Sequence, residues 1–358
     1  YSKVELLQEK NGQIFFEYPY VHYYFTAKHL ANNIAKEWAQ RKIQCMSQKL
    51  YEEEYGNIMI FLCHLSKDEF IIQTVLDNAK EIFSDKLPFD FGEHKSIQMS
   101  FDEYLKTDFI PEKDTEKRQE EILEIRDIQE RNNKKQREID IIEGDRQEIY
   151  SLDNAFKTIE VMGQILKNYP GTIKRSVKNN LLETTYNLGM RTLSYTSDIL
   201  YGGMERIFAG IRKKLQPNPS QIDIDKMKTI SRQISNSMDN LFSLLAYAMI
   251  RNLASSVANK ALMPVISQSK LNDLIGYDLV KASIQLNEFG IISVDLVLNK
   301  YDNYRSQNNV FSAKLLRLFV LDHYYVYGSK DFKNRQKVWE RMAFGKKEKV
   351  LTLQGNIN

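Results

Sequence analysis

Residues 6–40 read LLQEKNGQIFFEYPYVHYYFTAKHLANNIAKEWAQ, and the pattern changes character at Pro19. Before it, Asn11-Gly12 separates two short segments that carry apolar and aromatic residues. That pair tolerates the positive φ values of a tight two-residue turn, so a β-hairpin is expected. Pro19 has a fixed φ and no N–H, both compatible with the first turn of a helix. Beyond it, Val21, Tyr24, Phe25, the stem of Lys28, Leu30 and Ala31 recur at helical spacing. The stretch reads as a small β-wing followed by an amphipathic helix.

Working outward, a compact apolar run at 58–65 precedes Ser66, with Glu69 three residues later as in a capping box. Phe70, Ile71, Val75, Leu76, Ala79 and Phe83 then mark one helix face. Residues 111–150 are dense in both charge signs, often three or four apart, which supports an exposed helix. Its thin seam of Ile122, Ile125, Ile139, Ile142 and Ile149 is interrupted by Asn132, Asn133 and Gln136, so no sustained coiled coil is expected. The remainder reads as helices at 152–168, 173–215, 223–236, 238–263, 270–288, 293–304, 313–325 and 331–343. Gly189 and Gly202-Gly203 are expected to break or kink the second of these. The expected fold is mainly α. Residues 1–35 hold the β-wing and first helix, 36–110 form a small helical module and 111–150 a charged connector helix. Residues 151–345 form a C-terminal multi-helix domain, and 346–358 a tail.

Composition agrees with this class. Only 7 Pro and 15 Gly in 358 residues, with 42% hydrophobic and 27% charged residues, exclude collagenous, low-complexity and wholly disordered chains. The 2 Cys, Cys45 and Cys63, are too few for a disulfide framework or a four-thiolate zinc site, and suit a reducing, cytoplasmic setting. LFSLLAYAMI at 241–250 is about half the ~20 residues that cross a bilayer, so no membrane association is expected. YSKVELLQEK lacks the basic-then-apolar order of a signal peptide. A first residue of Tyr, not Met, implies that the chain begins inside a longer polypeptide.

Charge is unevenly placed. Residues 51–112 carry 14 acidic and 5 basic side chains, a net of −9, whereas 171–215 and 328–350 each carry 3 acidic and 8 basic, a net of +5. The separation allows the two halves to attract each other, or an anionic partner to be steered toward the C-terminal half. Arg212, Lys213 and Lys214 are candidates for anion contact, including nucleic acid. The plainer reading puts them in the last turn of a helix, where cations complement the dipole.

Catalytic motifs are scarce. GxxxxGK[ST], which supplies backbone N–H groups, a phosphate-binding Lys and a magnesium-binding hydroxyl, is absent, and FGKKEK at 344–349 lacks the loop glycine and the hydroxyl. No nucleotide cofactor is therefore expected in this chain. The five His, at 22, 29, 64, 94 and 323, are dispersed and no HExxH occurs, so no metal site is expected.

Two resemblances bear on function. NGQIFFEYPYVHYYFTAKHLA resembles the end of the regulatory winged-helix region in STAND-class, NACHT-like signalling NTPases, particularly the bacterial branch. There a Gly-containing wing and an aromatic strand lead into a helix of the form F-x-H/Y-x-x-x-x-E/Y-Y/F-F-x-A-x-x-L-A. Gly12, Phe16, Tyr18, Tyr24, Phe25, Ala27, Leu30 and Ala31 fill the matching places. The resemblance covers some 70–80 residues, with IMIFLCHLSKDEFII at 58–72 a looser match. It implies an ATP- and magnesium-binding ATPase upstream, an effector domain beyond it, and oligomer assembly after a trigger such as a phage protein or nucleic acid is sensed. In bacteria it further implies a role in defence against phage. On this reading the present chain is a non-catalytic sensor or regulatory arm that acts in trigger recognition, autoinhibition or assembly. Phe16, Tyr18, Tyr20, Tyr24 and Phe25 would anchor it on the ATPase core. The second resemblance is RLFVLDH at 317–323, where Arg317 and His323 are spaced like the Arg-x(4–6)-His element of HEPN ribonucleases; Leu318 stands where that family usually has a polar residue. The alternatives are therefore catalysis by Arg317 and His323, or packing of His323 in an aromatic-rich helix. A helical scaffold or nucleic-acid-binding module is a further alternative.

Overall fold

Strands β1 (Leu7–Lys10) and β2 (Gln13–Phe16) pair antiparallel, Leu7 opposite Phe16 and Lys10 opposite Gln13, with the two residues of the expected turn between them. In the computed structural model the described residues are 6–10, 13–92, 143–214, 221–328 and 332–344. Within these, side chains at 10, 13–15, 143–149, 205, 208–214, 221–229, 231–232, 236 and 332 lie outside the description. The rest is mainly helical. In chain order come α1 (Pro19–Asn32), α2 (Glu37–Ser47), α3 (Glu53–Leu65), α4 (Glu69–Glu81), α5 (Glu143–Asn168), α6 (Arg175–Lys214) and α7 (Gln221–Val257). There follow α8 (Met263–Ser267), α9 (Ile275–Ser283), a π turn (Ile284–Glu288), α10 (Val294–Ser306), α11 (Val310–Tyr327) and α12 (Phe332–Arg341).

Two compact units divide the chain. Among the described residues, the first gathers those within 1–88, 141–192 and 255–271, and the second those within 89–140, 193–254 and 272–358. Helices α6 and α7 are each shared, α6 changing unit after Thr192 and α7 after Ala254.

In the first unit, Pro19 opens α1 as expected, with Tyr18 extended at its N-cap. Ala27 and Leu30 turn inward and α1 packs on α3. The start of α4 corrects the capping-box reading. Asp68 is the N-cap, its Oδ1 accepting from Phe70 N at 2.9 Å, while Ser66 Oγ accepts from Asp68 N at 3.2 Å. Ile71, Val75, Leu76 and Ala79 of α4 are buried, as their spacing predicts, and Ile72 joins them. Helix α5 packs against α3 and α4, burying Ile159, Met162 and Leu166. It thus groups residues 151–168 with the N-terminal module, where the sequence reading had placed them in the C-terminal domain. Asn154 Oδ1 accepts from Leu50 N at 3.0 Å, and Tyr169 donates its hydroxyl to His64 O at 2.9 Å. Of the expected connector, residues 111–142 lie outside the described residues, as does the 346–358 tail.

The second unit is built on stacked rings. Phe91 and Phe242 both stack on Phe311, at 5.8 and 5.6 Å, and Tyr247 stacks on Phe319 at 5.3 Å. Asn309 caps α11, accepting from Ser312 N at 3.0 Å while donating to Phe91 O at 2.8 Å.

Three helix expectations are corrected. Gly189 and Gly202-Gly203 do not break α6, and the segments expected at 223–236 and 238–263 are one helix, α7, that ends at Val257. Asn259 then caps a 3₁₀ turn, Lys260–Leu262, its side chain accepting from Ala261 N at 2.8 Å. The helix expected over 270–288 is three pieces, a 3₁₀ turn at Lys270–Asp273, α9 and the π turn, because Leu274 is extended between the first two. Among the described residues no single helix is long and apolar enough to cross a membrane.

Candidate interaction surface

The hairpin and the first turns of α1 bring aromatic side chains to one place. Phe16, half-buried, stacks on Phe25 at 5.9 Å and meets the His22 ring at 5.7 Å. Tyr18 and Tyr20 lie 5.6 Å apart. Tyr20 is 58% exposed, Phe25 47% and Tyr18 39%, and Leu6 and Leu7 are exposed on the hairpin. Helical spacing explains the division of labour. Ala27 and Leu30 take the inner face, while Phe25 is left outside. Tyr24, half-buried, meets Phe61 of α3 edge-on at 5.9 Å as well as Phe25 at 5.4 Å. The five aromatic residues singled out in the sequence thus form two groups, the pair Tyr18 and Tyr20, and Phe16 with Phe25, on which Tyr24 also rests at 5.4 Å while joining α1 to α3.

The neighbourhood is mixed in charge. His22 Nε2 lies 3.3 Å from Glu54 Oε1, and Lys28 sits 5.8 Å from the Tyr24 ring centroid. Tyr23 is held above the ordinary tyrosine range by burial and by Glu53 and Glu54. Sequence reasoning missed Leu6 and Leu7. It also missed Trp38 of α2, 46% exposed and stacked on His29 at 5.3 Å. A lone Trp in an otherwise polar segment, EWAQRK, was the available signal. Rings such as these bury large areas at small entropic cost when a partner covers them, and an unsupported two-stranded hairpin gains little stability by itself.

Arg317 and His323 are each engaged by the protein's own backbone. Both lie on α11, six residues apart, and different backbone carbonyls engage them. His323 is only 3% exposed, and its Nδ1 donates to Leu286 O at 2.7 Å. Burial holds its pKa below the ordinary histidine value, against the pull of the Leu286 carbonyl and of Asp322. Arg317 Nη2 donates to Ala343 O at 3.2 Å, and its guanidinium lies 5.1 Å from the Phe344 ring centroid.

Arg212, Lys213 and Lys214 occupy the last turn of α6, and their side chains lie outside the described residues. The basic excess near the C-terminus is partly offset within its own unit. Lys333, Lys337 and Arg341 line a shallow groove of about 650 Å³ on α12. Of these, Lys337 bonds Asp295 at 2.7 Å, and Arg341 forks onto Asp302 at 2.9–3.2 Å. Among the described residues no group of three His, Cys, Asp or Glu side chains could hold a metal. Cys63 is buried, which pushes its thiol up to about 12 and keeps it unreactive at neutral pH.

No family model, curated protein or solved structure matches the chain.

Proposed function

We propose that this chain is a non-catalytic sensor or regulatory arm of a STAND-type signalling NTPase, acting in bacterial defence against phage. The observation that carries the reading is the order and exposure at the N-terminal end. A two-stranded hairpin leads directly into α1, with Tyr18, Tyr20 and Phe25 exposed and Phe16 half-buried against Phe25. In this reading that cluster rests on a nucleotide-binding core carried upstream in the same protein. ATP and magnesium belong to that core, and an effector domain lies beyond it. The helical remainder meets the trigger, a phage protein or nucleic acid, or a neighbouring copy during assembly.

The gene tests the first half of this reading: an in-frame GxxxxGK[ST] segment is expected upstream of Tyr1, and a start codon directly before Tyr1 would remove the basis of the proposal. The second half is tested by co-purification of the chain with the separately expressed upstream core. Tyr20→Ala combined with Phe25→Ala is expected to weaken capture at least tenfold, as hot-spot aromatics do, without lowering the thermal midpoint of the chain. Undiminished capture would place the contact elsewhere, and RNA cleavage lost in His323→Ala would replace the proposal with the ribonuclease reading.

A further inference from the structure

The π turn after α9 is held from outside by one stripe of α11. A π turn winds one residue more than an α-helical turn and is uncommon except where a local constraint or a function retains it. Its exit bonds run from Phe289 N to Ile284 O at 3.0 Å and from Ile291 N to Gln285 O at 2.8 Å. The next two carbonyls are met by side chains. Leu286 O accepts from His323 Nδ1 at 2.7 Å, and Asn287 O accepts from the Tyr327 hydroxyl at 2.8 Å. Asn287 returns the contact, donating Nδ2 to Phe319 O at 3.0 Å while Ser283 Oγ donates to its Oδ1 at 3.3 Å. Phe319, His323 and Tyr327 are four apart, so they lie along a single face of α11. The Tyr327 ring also covers Gly290, whose φ is +64°; a Cβ there would lie 2.8 Å from a ring carbon.

We propose that this clamp is an acid-released latch, in which a second proton on His323 frees residues 284–291 from α11 while the rest of the unit stays folded. The neutral ring with hydrogen on Nδ1 satisfies Leu286 O. A protonated ring would be a buried cation with one further N–H to satisfy. Its charged surroundings are already committed. Asp322 on α11 and Glu288 on the π turn both pair with Arg251 of α7, at 3.4 and 3.2 Å. Tyr324 and Tyr327 present their rings to the imidazole at 5.4 and 5.3 Å. Tyr247 of α7 is the remaining titratable group of the cluster; burial raises its hydroxyl first, and the Asp322 charge adds to that. Asp322 favours the charged imidazole, but its engagement with Arg251 limits that help. Burial opposes the proton and is the larger influence.

The test is hydrogen exchange on the full chain, corrected for intrinsic rates, at about pH 7.5 and about pH 5, on either side of the ordinary histidine value of ~6.5. Peptides covering 284–291 and 319–327 are expected to lose protection at the lower pH, because a histidine held below its ordinary value stabilises the closed form at neutral pH and ceases to do so as pH falls through its folded-state value. The rest of the unit should keep its protection. His323→Gln retains an N–H donor and cannot charge, so it should abolish the acid step. Tyr327→Phe, which keeps the ring over Gly290, should raise exchange of 284–291 at both pH values and leave the step in place. An equal acid response in His323→Gln, or loss of protection only together with the whole chain, overturns the latch. Should His323→Gln fail to fold, NMR titration of the wild-type imidazole decides. A midpoint below ~6.5 that coincides with the exchange step supports the proposal, and one at or above ~6.5 refutes it.

Discussion

Replacing Gly163 by Ala and Gly202 by Ala makes the same chemical change in two helices, yet the two are expected to act with opposite sign. In a helix interior Ala is favoured over Gly by about 0.8–1.0 kcal/mol, because glycine loses more backbone entropy on folding. At Gly202, in α6, an added Cβ meets nothing within 4 Å, so that gain should appear almost whole. At Gly163, in α5, the added Cβ would lie 2.3 Å from Ser256 O and 2.7 Å from Ser256 Cβ. Ordinary contact begins at 3.4 Å, so the two backbones must part by about 1 Å, and a carbonyl in the last turn of α7 cannot swing aside as a side chain could. Overpacking of this kind costs about 1–3 kcal/mol, toward the upper end when backbone must move. Subtracting the propensity gain leaves Gly163→Ala about 2 kcal/mol less stable, and the two variants about 3 kcal/mol apart. For units of this size that difference is roughly 6–12 °C in thermal midpoint. Calorimetric melts give the midpoints, and hydrogen exchange assigns each change to its unit. A Gly163→Ala midpoint at or above that of the wild type would refute the reasoning.

Arg191 donates to Lys80 O at 2.8 Å and Ala79 O at 2.6 Å, serving the otherwise unpaired carbonyls at the end of α4. Arg191→Met keeps much of the packing but removes the donors, and should cost about 2 kcal/mol in denaturant unfolding, with faster exchange confined at first to the end of α4. Asn309→Ala removes the α11 cap and leaves the buried Phe91 carbonyl without its donor; a loss of about 2–3 kcal/mol is expected by the same measurement. Asp278 has its own pH signature. Burial alone would raise its pKa, but Lys300, the Tyr304 hydroxyl and Lys281 outweigh burial and hold it below the usual carboxylate value. A depressed folded-state pKa stabilises above the unfolded value of ~3.9 and is lost as pH falls through the folded value. Unfolding midpoints followed from about pH 5 downward should therefore fall less steeply in Asp278→Asn than in the wild type, and parallel slopes would dismiss the contribution.

Where local chemistry decides, the sequence was readable. Asn11-Gly12 marked the hairpin and Pro19 marked the first turn of α1, both with the correct register. The α4 cap was misplaced by two residues because Ser66 and Asp68 both offer an oxygen at a helix start. Only the geometry shows Asp68 meeting the helix and Ser66 supporting Asp68. Continuity of α6 through Gly202-Gly203 was missed for an energetic reason: two glycines cost about 2 kcal/mol, which forty residues of helical hydrogen bonding can absorb. The π turn had no sequence signal, since the side chains that bond its carbonyls, His323 and Tyr327, come from more than thirty residues away. The exposed aromatic cluster was only partly legible. Periodicity located one face of α1, but it could not say that Tyr24 turns toward Phe61 while Tyr20 and Phe25 remain outside.

The sharing of α6 and α7 between units constrains how the protein comes into being on the ribosome. The first unit is incomplete until residue 271 has been synthesised, although its hairpin and first four helices emerge within the first 88 residues. Of those early helices, α3 and α4 must wait for α5, the helix that packs against both. Truncation anywhere before residue 271 should therefore release nascent chains that recruit chaperones, and no single cut in the chain can free either unit intact.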